Sequence, residues 1–132
     1  MKDVEAALAI IWRGGRLFLQ RRDPAGPVLP GRWEFPGGKV EAGETPAEAL
    51  RRELREEVAL EAGALQVLPM IEQAYPDHRV RLHPFRVRAA GGLHAALAWG
   101  WFTPEEALRL PVPDANHALI RGLRPPAGDD PE

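Results

Sequence analysis

The sequence predicts a single α/β domain. Three observations carry this: strand-length apolar runs meeting across Gly14-Gly15, a strongly capped amphipathic helix in mid-chain, and a return to strand-like segments before two shorter helices. At 132 residues the chain is long enough for one hydrophobic core and short for two domains. Residues 1–124 are expected to form that domain, and the proline-, glycine- and acid-rich tail 125–132 to be disordered.

Residues 4–12 (VEAALAIIW) read as a buried strand, and 16–20 (RLFLQ) as its hairpin partner. Arg21 and Arg22 end that second strand, where exposed arginines are ordinary. Residues 23–31 (DPAGPVLPG) form a turn-rich loop, expected at the rim of a pocket. Residues 32–38 (RWEFPGG) make a short strand running into a glycine-rich loop. Trp33 and Phe35 are expected in the core, because aromatic rings bury large apolar areas.

The helix follows. Thr45 and Glu48 form a capping-box pattern, and Pro46 occupies the first helical position, where a missing N–H costs nothing. Ala47, Leu50, Leu54 and Val58 make one apolar stripe to about Val58. Glu53, Glu56 and Glu57 gather on a common face beside it, with Glu44 entering from the loop. An acidic helix face is ordinarily just solvated. Like charges at this spacing cost roughly 0.2–0.5 kcal/mol per pair, however, and Arg52, able to pair with Glu48 and Glu56, cannot neutralise them all. A hard divalent cation can, since Mg²⁺ takes oxygen ligands and shares its shell with phosphates.

Beyond the helix, residues 65–75 are strand-like and broken by Pro69, 76–78 turn, and 80–87 return as a strand. Arg81, His83 and Arg86 alternate along it, facing solvent or attracting an anion. His78, His83 and His94 are irregularly spaced, and no zinc pattern is seen. Residues 91–96 connect to a tryptophan-rich strand, 97–102. Thr103-Pro104-Glu105-Glu106 repeats the cap-and-proline device, and 110–114 link rigidly to a last helix, 115–123. No internal repeat is apparent.

A formal charge of −2 and a pI near 6.1 argue against stable nucleic-acid or membrane-surface binding. Without cysteine there is no disulfide or thiolate chemistry. The apolar run 6–12 is too short to span a bilayer, and Asp3 and Glu5 precede it, unlike the basic start of a signal peptide. A cytoplasmic enzyme, monomer or homodimer, is expected. All 17 basic residues except Lys2 and Lys39 are arginines, a bias shared by genome composition and heat adaptation.

Gly38, Glu44 six positions on, Arg52-Glu53-Leu54 and Glu56-Glu57 together resemble the Nudix box. That motif reads Gly, five residues, Glu, seven residues, Arg-Glu-apolar, one residue, Glu-Glu, one residue, Gly, apolar. One fixed position differs: Ala59 stands where the family has Gly. That Gly normally closes the helix in a left-handed turn, so the helix end is expected to move toward Gly63.

The resemblance implies the Nudix fold, a mixed β-sheet sandwiched between helices (α/β/α). It implies metal ligation by Glu53, Glu56, Glu57 and the Gly37 carbonyl, with Mg²⁺ (or Mn²⁺) as cofactor. Glu53 is the expected base, and Glu44 and Arg52 an ion pair orienting loop and helix. Glu34-Phe35-Pro36-Gly37-Gly38 is similar to the MutT-type run before the metal loop. By the same likeness Arg22 contacts substrate phosphate or base, Glu34 is a substrate-binding residue, and Arg79 in the Tyr75-Pro76-Asp77-His78-Arg79 turn, where the order of His78 and Arg79 is swapped, contributes to the nucleotide site. A glutamate that relatives carry in the 91–96 loop falls here on Ala95, so the helix carboxylates suffice, or Glu34 or water replaces it.

The implied reaction is hydrolysis of a nucleoside diphosphate linked to X, for a triphosphate giving nucleoside monophosphate and pyrophosphate. Pro113-Asp114-Ala115-Asn116 resembles the segment in which a MutT asparagine holds 8-oxoguanine, whereas cytidine-preferring relatives have aspartate there. Asn116 is also a good helix N-cap, in competition with Asp114. The expectation is an 8-oxo-dGTP diphosphatase. The alternatives are a (d)CTP or 5-methyl-dCTP pyrophosphohydrolase, a dinucleoside-polyphosphate or nucleotide-sugar hydrolase, and, in another class, a silent nucleotide-binding sensor. A sensor is disfavoured by the intact box carboxylates.

Overall fold

The computed structural model describes residues 2–26, 30–88, 93 and 98–126. Strand β1 (Lys2–Ile10) is the hub of the larger sheet, antiparallel to β5 (Gly37–Lys39) on one edge and parallel to β8 (His78–Val87) on the other. Strands β6 (Leu65–Val67) and β7 (Ile71–Ala74) both run antiparallel to β8, with Pro69 lying between them. The sheet is therefore mixed, as expected.

Alternation along β1 explains the apolar run. Ala7, Ala9 and Ile11 join one core cluster with Leu50, Leu54 and Val58 of helix α1 (Pro46–Val58). Leu8 and Ile10 point the other way. They join Ala107 of α2 (Pro104–Leu108) and Ala115, Leu119 and Ile120 of α3 (Asp114–Gly122). Helices thus cover both faces, and a strand covered on both faces has no polar side to show.

The 4–12 segment was expected to be one strand of a hairpin. Instead it serves two sheets. After Ile11, strand β2 (Trp12–Arg13) pairs with β3 (Arg16–Arg21), and β3 also pairs with β4 (Trp33–Glu34) and β9 (Trp99–Phe102). Ile11 is fully buried at the switch, and its carbonyl accepts from Phe18 N at 3.1 Å. An unbroken apolar run carries no mark of the point where one sheet hands it to the next.

Helix α1 begins as the sequence says: Thr45 Oγ1 accepts from Glu48 N at 3.1 Å, and Glu48 Oε1 accepts from Thr45 N at 2.9 Å. Glu48 is thereby committed to the cap rather than to Arg52. Thr103 and Glu106 repeat the box at α2. At α3 the N-cap is Pro113 with no side-chain cap bond, so neither Asp114 nor Asn116 caps it. Phe35 is buried as expected, while Trp33 is half-buried against Phe102. The expected tail 125–132 lies mostly outside the described residues, as does Ala95.

The end of α1 corrects the expectation. The helix stops at Val58, and Ala59 adopts the left-handed conformation itself (φ 54°, ψ 35°). Ala59 N and Leu60 N both donate to Leu54 O, and Leu60 is buried in the core. Docking of Leu60 outweighs the roughly 1–2 kcal/mol a non-glycine residue loses in that region. Ala59→Gly is therefore expected to stabilise the fold by about 1 kcal/mol, read as a higher urea midpoint at unchanged slope.

Candidate active site

The site is built where the glycine loop crosses α1. Gly38 lies opposite Ala7 in the sheet, and a Cβ on it would come within 2.6 Å of the Glu53 carboxyl carbon. Gly37 has φ 149°, and a Cβ there would meet Ala7 O at 2.0 Å. At Gly37 only glycine lets the backbone lie against the strand, and at Gly38 a side chain would displace the Glu53 carboxylate.

Arg52 stitches loop to helix. Its Nε and Nη2 donate to the two carboxylate oxygens of Glu44 at 2.8 and 2.9 Å, and Nη1 donates to Glu53 Oε1 at 2.7 Å. Nη2 also reaches Lys39 O at 3.3 Å, and Glu41 and Glu56 stand at 3.7 Å. Such a two-pronged fork is the strong form of a charge-assisted hydrogen bond. The Arg52 bond, helped by the Glu41 N–H, holds the Glu44 carboxyl down at about 2, and Glu44 and Glu53 push the guanidinium up.

Glu57 is the contrasting carboxylate. Its Oε2 accepts from Gln20 Nε2 at 2.7 Å and from Gly37 N at 3.2 Å. Burial nevertheless raises it to about 7, and the nearby charges of Glu53 and Glu34 add to the rise. Glu34 is raised by burial too, although Arg22 Nε sits 2.9 Å from it.

The geometry thus brings Glu34, Glu44, Arg52, Glu53 and Glu57 together with Gly37, and joins Arg22 through Glu34. Glu56 sits more exposed on the same helix face, 62 % accessible at its side chain. Arg79 is elsewhere, on β8 of the larger sheet, paired with Glu72 at 3.2 Å. Asn116 is buried on α3, and its Oδ1 has no hydrogen-bond partner among the described residues. Gln20 was missed by sequence reasoning. Its one signal was a polar side chain closing the apolar run Leu17-Phe18-Leu19.

Among the described residues no three His, Asp or Glu side chains are already arranged as a metal cage. The donor set still fits a hard divalent cation. Glu53, Glu56 and Glu57 are oxygen donors on one helix face, and the cost of ionising Glu57 beside Glu53 and Glu34 is what a cation would relieve.

The NUDIX domain family matches residues 2–123. The chain is a Nudix hydrolase. Within that family it is MutT-like. It is 38% identical over 126 residues to the CTP pyrophosphohydrolase of Escherichia coli K12, covering 93% of each chain. It is 37% identical over 83 residues to the 8-oxo-dGTP diphosphatase of the same organism, covering 62% of this chain and 64% of that one. Among solved structures, that of the E. coli ORF135 protein superposes with a TM-score of 0.78 at 38% identity, over 92% of this chain and 88% of that one. A MutT NUDIX hydrolase from Burkholderia pseudomallei shares the fold, with a TM-score of 0.80 at 23% identity over 94% of this chain and 100% of that one. Members of this family generally use divalent metal ions. No helix among the described residues is long and apolar enough to cross a membrane.

The raised Glu57 sets a pH dependence. In the unfolded chain this carboxyl titrates near 4.5, and in the fold near 7. Its ionisation therefore costs the fold nothing below 4.5, a growing amount between those values, and the full amount above 7. In chelator-treated protein, Glu57→Gln is expected to raise Tm at pH 8 by several degrees and to leave it nearly unchanged at pH 4.5. Scanning fluorimetry across that range reads the difference directly.

Proposed function

We propose that this Nudix hydrolase cleaves nucleoside triphosphates to nucleoside monophosphate and pyrophosphate, with 8-oxo-dGTP as its preferred substrate. The carboxylates of α1 support the reaction, and the buried Asn116 amide supports the base. Glu53, Glu56, Glu57 and the Gly37 carbonyl would hold a divalent cation such as Mg²⁺, which neutralises phosphate charge and polarises phosphorus. Glu53, kept in place by Arg52 and packed under Gly38, accepts the proton of the attacking water. Glu44 touches no substrate in this scheme. It holds Arg52, and so the loop, in register with the helix. Arg22, partnered by Glu34, offers a cation to the substrate.

The observation that supports a base contact is the Oδ1 of Asn116, which has no partner among the described residues. An acceptor buried without a donor costs about 1–3 kcal/mol, and a ligand that supplies the donor recovers it. An asparagine presents an acceptor beside a donor. The outer edge of 8-oxoguanine matches, with N7–H next to O6, whereas guanine shows two acceptors there. Cytosine also matches, with its exocyclic amine beside N3. Together with the CTP pyrophosphohydrolase relative, this favours CTP or 5-methyl-dCTP as the second reading. A nucleotide sensor that does not turn over is disfavoured by the complete set Glu44, Arg52, Glu53, Glu56 and Glu57.

One competition assay separates these readings. Values of kcat/KM are expected to fall in the order 8-oxo-dGTP, then CTP and 5-methyl-dCTP, then dGTP. In ¹⁸O water the label is expected in pyrophosphate. Pyrimidine preference would reverse the substrate assignment, and nucleotide binding without pyrophosphate release would favour the sensor. Glu53→Gln is expected to abolish turnover while leaving Tm close to wild type. Asn116→Ala should lower kcat/KM for 8-oxo-dGTP by about 10- to 100-fold, the worth of one buried hydrogen bond, and change dGTP far less.

A further inference from the structure

Two polar side chains are buried among the described residues, Gln20 and Asn116. Asn116 belongs to the base reading; Gln20 has no part in it. Gln20 is 2 % exposed on β3, in the smaller sheet, following Leu17, Phe18 and Leu19. Its strand neighbours in register are Glu34 on β4 and Trp99 on β9, and residues directly opposite share a face. That face looks onto α1, as the Gln20–Glu57 bond of 2.7 Å shows.

A leucine or methionine here would simply extend the apolar run. A buried amide costs free energy unless it is hydrogen-bonded, and Glu57 supplies the bond. Among the described residues two donors reach Glu57, the Gln20 amide and Gly37 N at 3.2 Å, and both act on the same oxygen, Oε2. The carboxylate is therefore gripped from one side, by one donor from each sheet.

We propose that Gln20 is a positioning residue for the cation site: by holding Glu57 Oε2 it fixes the carboxylate rotamer and leaves Oε1 to meet the cation. The inference rests on the divalent-cation reading of the α1 carboxylates and adds a residue from outside the helix and its loop. Groups that orient metal ligands in this way are typically worth about 10- to 100-fold in metal affinity.

The test is titration of Mn²⁺ alone into wild type, Gln20→Met and Gln20→Asn, with free Mn²⁺ followed by electron paramagnetic resonance. Methionine keeps the volume and removes the donor. Asparagine keeps the amide but falls one methylene short, and carries the test should Gln20→Met fail to fold. Both variants are expected to bind Mn²⁺ about 10-fold or more weakly and to recover kcat toward wild type at saturating Mg²⁺, with Gln20→Asn melting lower because its buried amide loses the bond. A structural role alone would not produce that recovery. Unchanged Mn²⁺ affinity in an active enzyme overturns the role of Gln20. A wild type that binds Mn²⁺ but hydrolyses no nucleotide overturns the substrate reading and leaves Gln20 standing. A wild type that binds no Mn²⁺ overturns both.

Discussion

The Arg52 guanidinium is the constraint on which the site depends. It reaches Glu44 in the loop with two nitrogens and Glu53 in the helix with a third. Loops are ordinarily the mobile part of a domain. Here a planar, always-charged fork ties the loop to the helix through charge-assisted bonds, and fork geometry fixes direction as well as distance. Glu53 is thereby held beneath Gly38 with no room for a Cβ between them. Arg52 is partly exposed, and such pairs in isolation add little stability. Its contribution is orientation.

Around that fork the carboxylates are kept in different states by their surroundings. Glu44, bonded to Arg52, is held strongly acidic, whereas burial and the charges of Glu53 and Glu34 push Glu57 toward neutrality. Crowding of this kind is unfavourable for a fold by itself. Its persistence in an otherwise ordinary core suits a site that completes itself on a cation, consistent with the needs of a Nudix hydrolase. The Asn116 oxygen, without a partner among the described residues, has the same character: an unmet acceptor in the fold and, in the proposed function, a contact for the base.

The two sheets have distinct tasks. The larger is covered by α1 on one face and by α2 and α3 on the other, and β3 of the smaller adds Phe18 to the first core cluster and Leu17 and Leu19 to the second. The smaller delivers polar groups to α1 from the side: Gln20 to Glu57 by a hydrogen bond, and Glu34 with its partner Arg22 beside it. Ile11, buried where β1 passes into β2, joins the two. A short apolar hinge thus lets one chain segment serve both.

What the sequence determined by itself was what local chemistry governs. Helix periodicity, the Thr45–Glu48 box, and the spacing from Gly38 through Glu44 to Glu57 are relations among near neighbours, set by hydrogen bonds and side-chain geometry within a few turns. The helix start, the acidic face and the family were therefore legible, as was the Arg52–Glu44 pair once the resemblance was seen. Only the tertiary structure decided relations between distant segments. Gln20 meets Glu57 from 37 residues away, Ile11 marks a change of sheet, and Arg79 on β8 finds Glu72 on β7. Ala59 shows the reason in a single residue: its local preference opposed a left-handed turn, and burial of Leu60 against the core overrode it.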